Sequence, residues 1–175
     1  LAMVYLPTES VVLPKYFSDV NDPRGLGYVL SSMALGGIAS MLAYPRLVKR
    51  FKKRTIVIGA LGATSIAMIP MTFFPPIGLF VLSGFLLGLG WGPMNPLMNS
   101  LVQQRVAPHI QGRVFGVQTS LFYASGPIGM FVTGISVDAF GVRPVYIAAV
   151  SILIIFQLFI MLLPDLHDLD RKPTY

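Results

Sequence analysis

The chain has 175 residues, of which 54% are apolar and 11% charged, and its mean hydropathy is +0.72. Average soluble domains carry about 25% charged residues, so this composition excludes an ordinary soluble domain and points to a membrane protein with room for about six helical spans of about 20 residues each. The formal net charge of +6 would suggest nucleic acid in a soluble protein, but in a membrane chain the placement of the charges decides.

The first span is expected from Leu1 to about Phe17, ending in the turn-rich SDVNDPRG. It opens directly in an apolar run with an acid inside it, so it does not read as a signal peptide. The first residue is not Met, and an upstream portion is expected. The second span runs from about Leu26 to Val48 and is closed by KRFKKR. The third, about Thr55 to Phe74, stops at Pro75 and Pro76. The fourth, about Ile77 to Gln103, is crowded with glycine and proline. The fifth covers about Val114 to Val137 and the sixth about Val145 to Leu163. Residues 1–163 thus form an all-α six-span bundle, and residues 164–175, PDLHDLDRKPTY, a polar tail.

If odd spans leave the cytoplasm and even spans return, the inner loops and tail hold Arg46, Lys49, Arg50, Lys52, Lys53, Arg54, Arg105, Arg113, Arg171 and Lys172, while the outer loops hold Lys15, Arg24 and Arg143. By the positive-inside rule this places loops 46–54 and 104–113 and the tail in the cytoplasm. Basic loops beside anionic lipid explain the net charge without nucleic acid. Tyr16, Phe17, Tyr44, Phe51, Phe73 and Phe74 are expected at the membrane interfaces.

Enzyme chemistry finds little support. There is no cysteine, no lysine is followed by Ser or Thr as a P-loop requires, and His109 and His167 lie in a loop and the tail. No cofactor or metal is implied.

Glu9, in YLPTESVVLPKYF, is the leading candidate for transport chemistry. It lies about 9 Å of helix rise inward of Lys15, where a charged residue costs about 2.5–3.5 kcal/mol and usually marks a substrate or proton path. Such a carboxylate can hold a proton or a cationic solute but not both. Its structural alternative is a hydrogen bond to a neighbouring helix or a reach up to Lys15. Tyr5 shares its face.

In the fourth span Gly92, Pro93 and Pro96 weaken the helix, and Trp91, Asn95 and Asn99 follow at four-residue spacing. The two amides either join helices, at about 1 kcal/mol each, or contact a solute. Gly84 and Gly88 make a G-x-x-x-G packing step, and Ser32, Gly36 and Ser40 a packing seam. In the fifth span Gln118 and Phe122 share a face as further cavity candidates, beside a small-residue break at Gly126, Pro127 and Gly129. Asp138 and Arg143 are expected to pair across the short outer loop, and KRFKKR to be solvated.

YLPTESVVLPKYF, GWGPMNPLMNSLVQ and QGRVFGVQTSLFYASGPIGMFVTG resemble the second half of major facilitator superfamily drug exporters, in the macrolide-efflux-like branch with the Tap-type multidrug efflux proteins. The resemblance runs through essentially the whole chain. It implies spans seven to twelve of a twelve-span fold, with an N-terminal six-span half as partner, and proton-driven export of drugs through a cavity walled partly by spans seven and ten. Those are the helices of Glu9 and of Trp91 to Asn99. The family's loop motif G-x-x-x-D-R-x-G-R-R is degenerate here, with Lys49 at its Asp and Lys52 at its internal Gly, while Arg50, Lys53 and Arg54 keep its basic end. A closer echo lies at Gly134, Asp138, Gly141 and Arg143. Other readings are an uptake transporter of the same fold and a six-span scaffold that moves nothing.

Overall fold

A computed structural model describes residues 6–73 and 76–162. Tyr5, Phe74, Leu163 and the tail with His167 lie outside the described residues. Helix α1 (6–19) begins with a π-helical turn, Thr8–Val12, and continues as an α-helix, Leu13–Asp19. Then come α2 (Pro23–Arg50), α3 (Lys53–Met71), α4 (Ile77–Trp91), α5 (Met94–Arg105), α6 (Pro108–Phe140) and α7 (Val142–Leu162).

The described residues are all helix and connecting turn, and five stretches are long and apolar enough to cross a membrane: α2, α3, α4 with α5, α6 and α7. The described part of the first span packs beside them. Span positions follow the sequence, but the ends do not. Helix α6 starts at Pro108, so His109 and Arg113, expected in a loop, stand in its first turns. Its 33 residues rise about 50 Å, more than the roughly 30 Å hydrocarbon layer, so the helix tilts or extends beyond the bilayer.

Turn chemistry sets the helix ends. The Asp22 carboxylate accepts a hydrogen bond from the Gly25 amide at 3.0 Å, capping α2, and Pro23 occupies the first turn, where its missing N–H costs nothing. Asn21 before it takes φ 54°, a left-handed conformation that asparagine tolerates. Gly141, at φ 83°, ends α6 and allows the immediate turn into α7.

The centre of the bundle is α4, held between α2 and α3. Lipid tails are as apolar as side chains, so burial alone does not drive helices together and close packing must. Ser32, Gly36 and Ser40 of α2 face Gly84, Gly88 and the adjoining Gly92, and a methyl group added at Gly36 or Gly88 would overlap the carbonyl of Phe85 or Met33. The opposite face brings Gly90 against α3, where a Cβ would lie 2.7 Å from the Ala60 carbonyl and 2.6 Å from the Thr64 hydroxyl. Both predicted small-residue motifs are therefore contact surfaces, and they are two sides of one seam.

At the end of the bundle where α1 closes and α4 begins, Tyr16 stacks on Phe80 at 5.4 Å and Phe17 meets it edge-on at 5.5 Å. Phe17 is buried. These two rings, expected as interface anchors, turn into the bundle because Phe80 offers an aromatic partner. Phe51 and Phe73 are exposed.

Helices α6 and α7 pack more openly. Along α6 only Gly126, Gly129 and Val137 are buried. Helix α7 buries one stripe, Tyr146, Val150, Leu153 and Gln157, at helical spacing.

Candidate functional site

Glu9 lies in the one turn of α1 that is not α-helical. The amide of Leu13 donates to the carbonyl of Thr8, five residues back. The cause is local: Pro14 follows, and in an α-helix its ring would press on the carbonyl of Ser10 four residues earlier. Widening the preceding turn relieves that clash, and such π turns often occur at functional sites. Thr8, Val12, Leu13 and Phe17 are buried along one face, while Glu9 is half-buried. The turn packs on α6 and α7. One turn earlier Leu6 reaches Gly126, to within 3.4 Å of where a Cβ would stand, so the small-residue break in α6 receives the first span.

Lys15 is not drawn inward to Glu9. Its ammonium pairs with the Asp19 carboxylate at 2.9 Å, an exposed i,i+4 pair, and Asp138 of α6 adds a weaker attraction. The expected Asp138–Arg143 ion pair does not form among the described residues.

The fourth span is interrupted where the sequence placed its weak point. Helix α4 ends at Trp91 and α5 starts at Met94. Pro93 and Pro96 cannot donate to the carbonyls of Leu89 and Gly92, so two links of the helical ladder are missing. Gly92 and Pro93 still keep right-handed helical angles, so α5 continues with nearly the same phase. Trp91 is half-buried against the main apolar core. Asn95 and Asn99 are exposed, whereas Leu97 between them is fully buried with Val57 and Leu61 of α3. Among the described residues neither amide is hydrogen-bonded into the bundle, so neither joins helices within it.

Gln118 and Phe122 are exposed on α6. The Phe122 ring meets Tyr123 edge-on at 5.8 Å. Helices α5 and α6 pack on each other, and the side chain of Gln111 bridges their junction by donating to the Val106 carbonyl at 2.9 Å. The polar candidates thus occupy outward faces of neighbouring helices rather than a closed pocket. Two apolar grooves on the bundle take in none of them. One, of about 370 Å³, runs between α2, α3 and α4. The other, of about 530 Å³, lies between α6 and α7.

Three sets of polar contacts escaped the sequence reading. In mid-span, the Ser65 hydroxyl of α3 donates to the Gln157 amide oxygen of α7, whose side chain is buried. The signal was present, since Gln157 is a single amide in the apolar run SILIIFQLFIM. Nearby the buried Tyr146 hydroxyl donates to the Met68 carbonyl at 3.4 Å. At the start of α3 Lys53 donates to Gln104, whose amide nitrogen donates to Ser100 at 3.1 Å, and Ser100 is hydrogen-bonded to Tyr44. This chain joins α2, α3 and α5. Lys53 and Arg54 are half-buried, so the KRFKKR cluster is not wholly solvated: its end turns inward because neutral partners wait there. Among the described residues no three His, Asp or Glu side chains converge to hold a metal ion.

Comparison with known proteins agrees with this architecture. The family model described as Major Facilitator Superfamily matches residues 3–174. The multidrug efflux pump Tap of Mycobacterium tuberculosis is 37% identical over 170 residues, which cover 97% of this chain and 41% of that protein. Tap of Mycolicibacterium fortuitum is 34% identical over 167 residues, 95% of this chain and 41% of its own length. The multidrug resistance protein MdtG of Enterobacter lignolyticus is 31% identical over 149 residues, 82% of this chain and 35% of its own. The chain spans about two fifths of the Tap proteins it matches. Membrane-length helices around a glycine seam and a family match over nearly every residue lead to one statement: this chain belongs to the Major Facilitator Superfamily, a family of membrane transporters rather than enzymes.

Proposed function

We propose that the chain is the C-terminal six-span half, spans seven to twelve, of a proton-coupled multidrug efflux antiporter that works against an N-terminal six-span half. The similarity to proteins named multidrug efflux pumps supports the substrate class, and the share of their length that the chain covers supports the half. The basic segments 46–54 and 104–113 and the tail 164–175 face the cytoplasm by their charge.

The observation that carries the reading is the half-buried carboxylate of Glu9 in a π turn of an otherwise apolar helix. A carboxylate kept in such a place is retained against a cost and favours whichever partner neutralises it. Proton and cationic drug compete for that one charge, which gives exchange. Tyr5, Trp91, Asn95, Asn99, Gln118 and Phe122 complete the wall: rings stack on flat amphipathic solutes, and amides supply hydrogen bonds without adding charge. The exposure of the amides suits a wall closed by the other half, with the two halves rocking around a site near the midplane. The membrane potential adds about 2.3 kcal/mol per charge per 100 mV.

In the complete protein, Glu9→Gln abolishes proton-linked drug export measured in everted vesicles while membrane insertion stays intact. Export at the parental rate by that variant would overturn the assignment.

A further inference from the structure

The groove between α2, α3 and α4 is a trough made by missing side chains. Ala39 and Ala43 on one wall and Gly59 and Ala63 on the other stand at four-residue spacing, so each helix presents a smooth strip to it. Its one hydroxyl on the α2 wall, Ser40, already donates to the Gly37 carbonyl at 3.0 Å, which leaves the interior apolar. From Thr55 at the mouth to Ala63 the trough extends about 12 Å along α3. In a bilayer a channel of this kind is filled by whatever apolar chain lies against it.

Charge selects that occupant. Phe51 and Thr55 form the mouth, and the guanidinium of Arg50 lies 6.0 Å from the centre of the Phe51 ring, a cation–π distance that holds it there. Lys49 and Lys52 beside it are exposed. Lys53, by contrast, is engaged by Gln104. An apolar trough about 12 Å deep with cations at one end matches an acyl chain carrying an anionic headgroup. A second copy of the chain would bring a like-charged cluster to the same place. The α6–α7 groove has no such cluster at its mouth.

We propose that this trough binds one anionic phospholipid, its acyl chain between Ala43 and Gly59 and its phosphate on Arg50, Lys49 and Lys52. Basic side chains near a membrane surface favour anionic lipid by a few-fold each. The chain, purified in neutral detergent and titrated with phosphatidylglycerol or phosphatidylcholine, is read by native mass spectrometry for retained lipid. Phosphatidylglycerol should be held at least about fivefold more tightly, and Arg50→Gln should remove most of that preference. Gly59 has open space where a Cβ would go, so Gly59→Leu fills the trough without breaking the fold and should lower retention with every cation in place. Equal retention of the two lipids, or undiminished retention by Gly59→Leu, overturns the proposal. A phosphatidylglycerol with a photoreactive acyl chain gives an independent reading: crosslinks should map to residues 39–63, and crosslinks confined to other helices would refute the site.

Discussion

Gly88 of the fourth span and Met33 of the second approach so closely that a methyl group on Gly88 would overlap the Met33 carbonyl oxygen. Carbonyls belong to the backbone and cannot rotate aside, so the helices themselves would have to separate. Gly88→Ala, and likewise Gly36→Ala, should destabilise the bundle by about 1–3 kcal/mol. Gly62 has nothing within 4 Å of its would-be Cβ, and Gly62→Ala should be neutral or stabilising by up to about 1 kcal/mol. Denaturation in mixed micelles measures all three; equal effects would show that the seam does not hold the bundle together.

The Ser65–Gln157 contact links the third and sixth spans in the apolar interior. Ser65→Ala leaves the Gln157 oxygen without that donor, and Gln157→Leu removes the amide. Each should cost about 0.6–1.7 kcal/mol, and the double variant should cost less than the two added together. Simple additivity in the same unfolding measurement would mean that the contact contributes nothing.

The chain has no cysteine, so once any cysteines in the rest of the protein are replaced, single cysteines report on the two faces of α5. In the complete transporter, Asn95→Cys and Asn99→Cys should react with a water-soluble maleimide and be protected by a bound drug. Leu97→Cys, at a fully buried position, should not react. An Asn95→Cys that reacts only with a lipid-soluble reagent would place this face toward lipid and remove it from the proposed wall.

At the start of α3, Gln104→Leu removes the acceptor for Lys53 and the donor to Ser100. The contact is exposed, so the expected loss of global stability is at most about 1 kcal/mol. Hydrogen exchange at residues 51–55 should rise severalfold while exchange in the middle of α2 and α4 stays unchanged. No local increase would mean that the tie does not anchor the start of α3.

The sequence made Glu9 conspicuous because a carboxylate stands out in an apolar run, but its π turn was not legible. Pro14 hints at a disturbance without saying whether the chain kinks, breaks or widens. The weak point at Gly92 to Pro96 was legible because proline removes specific backbone donors. The exposure of Asn95 and Asn99 was not: helical spacing puts residues on a common face, and only the neighbouring helices decide what that face meets. Tyr16 and Phe17 show the same limit, since an aromatic ring near a span end suits the interface or a partner ring equally well until Phe80 is placed.

By itself the sequence determined that this is an all-α membrane chain, where its spans lie, and that small residues line particular helix faces. These follow from hydropathy and from the fixed geometry of the helix, both local properties. The tertiary structure alone decided that the serine–glycine strip of α2 fits the glycine strip of α4, that Ser65 meets Gln157, and that a cation-rimmed trough opens between α2 and α3. Those contacts join residues up to 92 positions apart, and in lipid their specificity comes from shape and hydrogen bonding rather than from hydrophobicity, which every span shares.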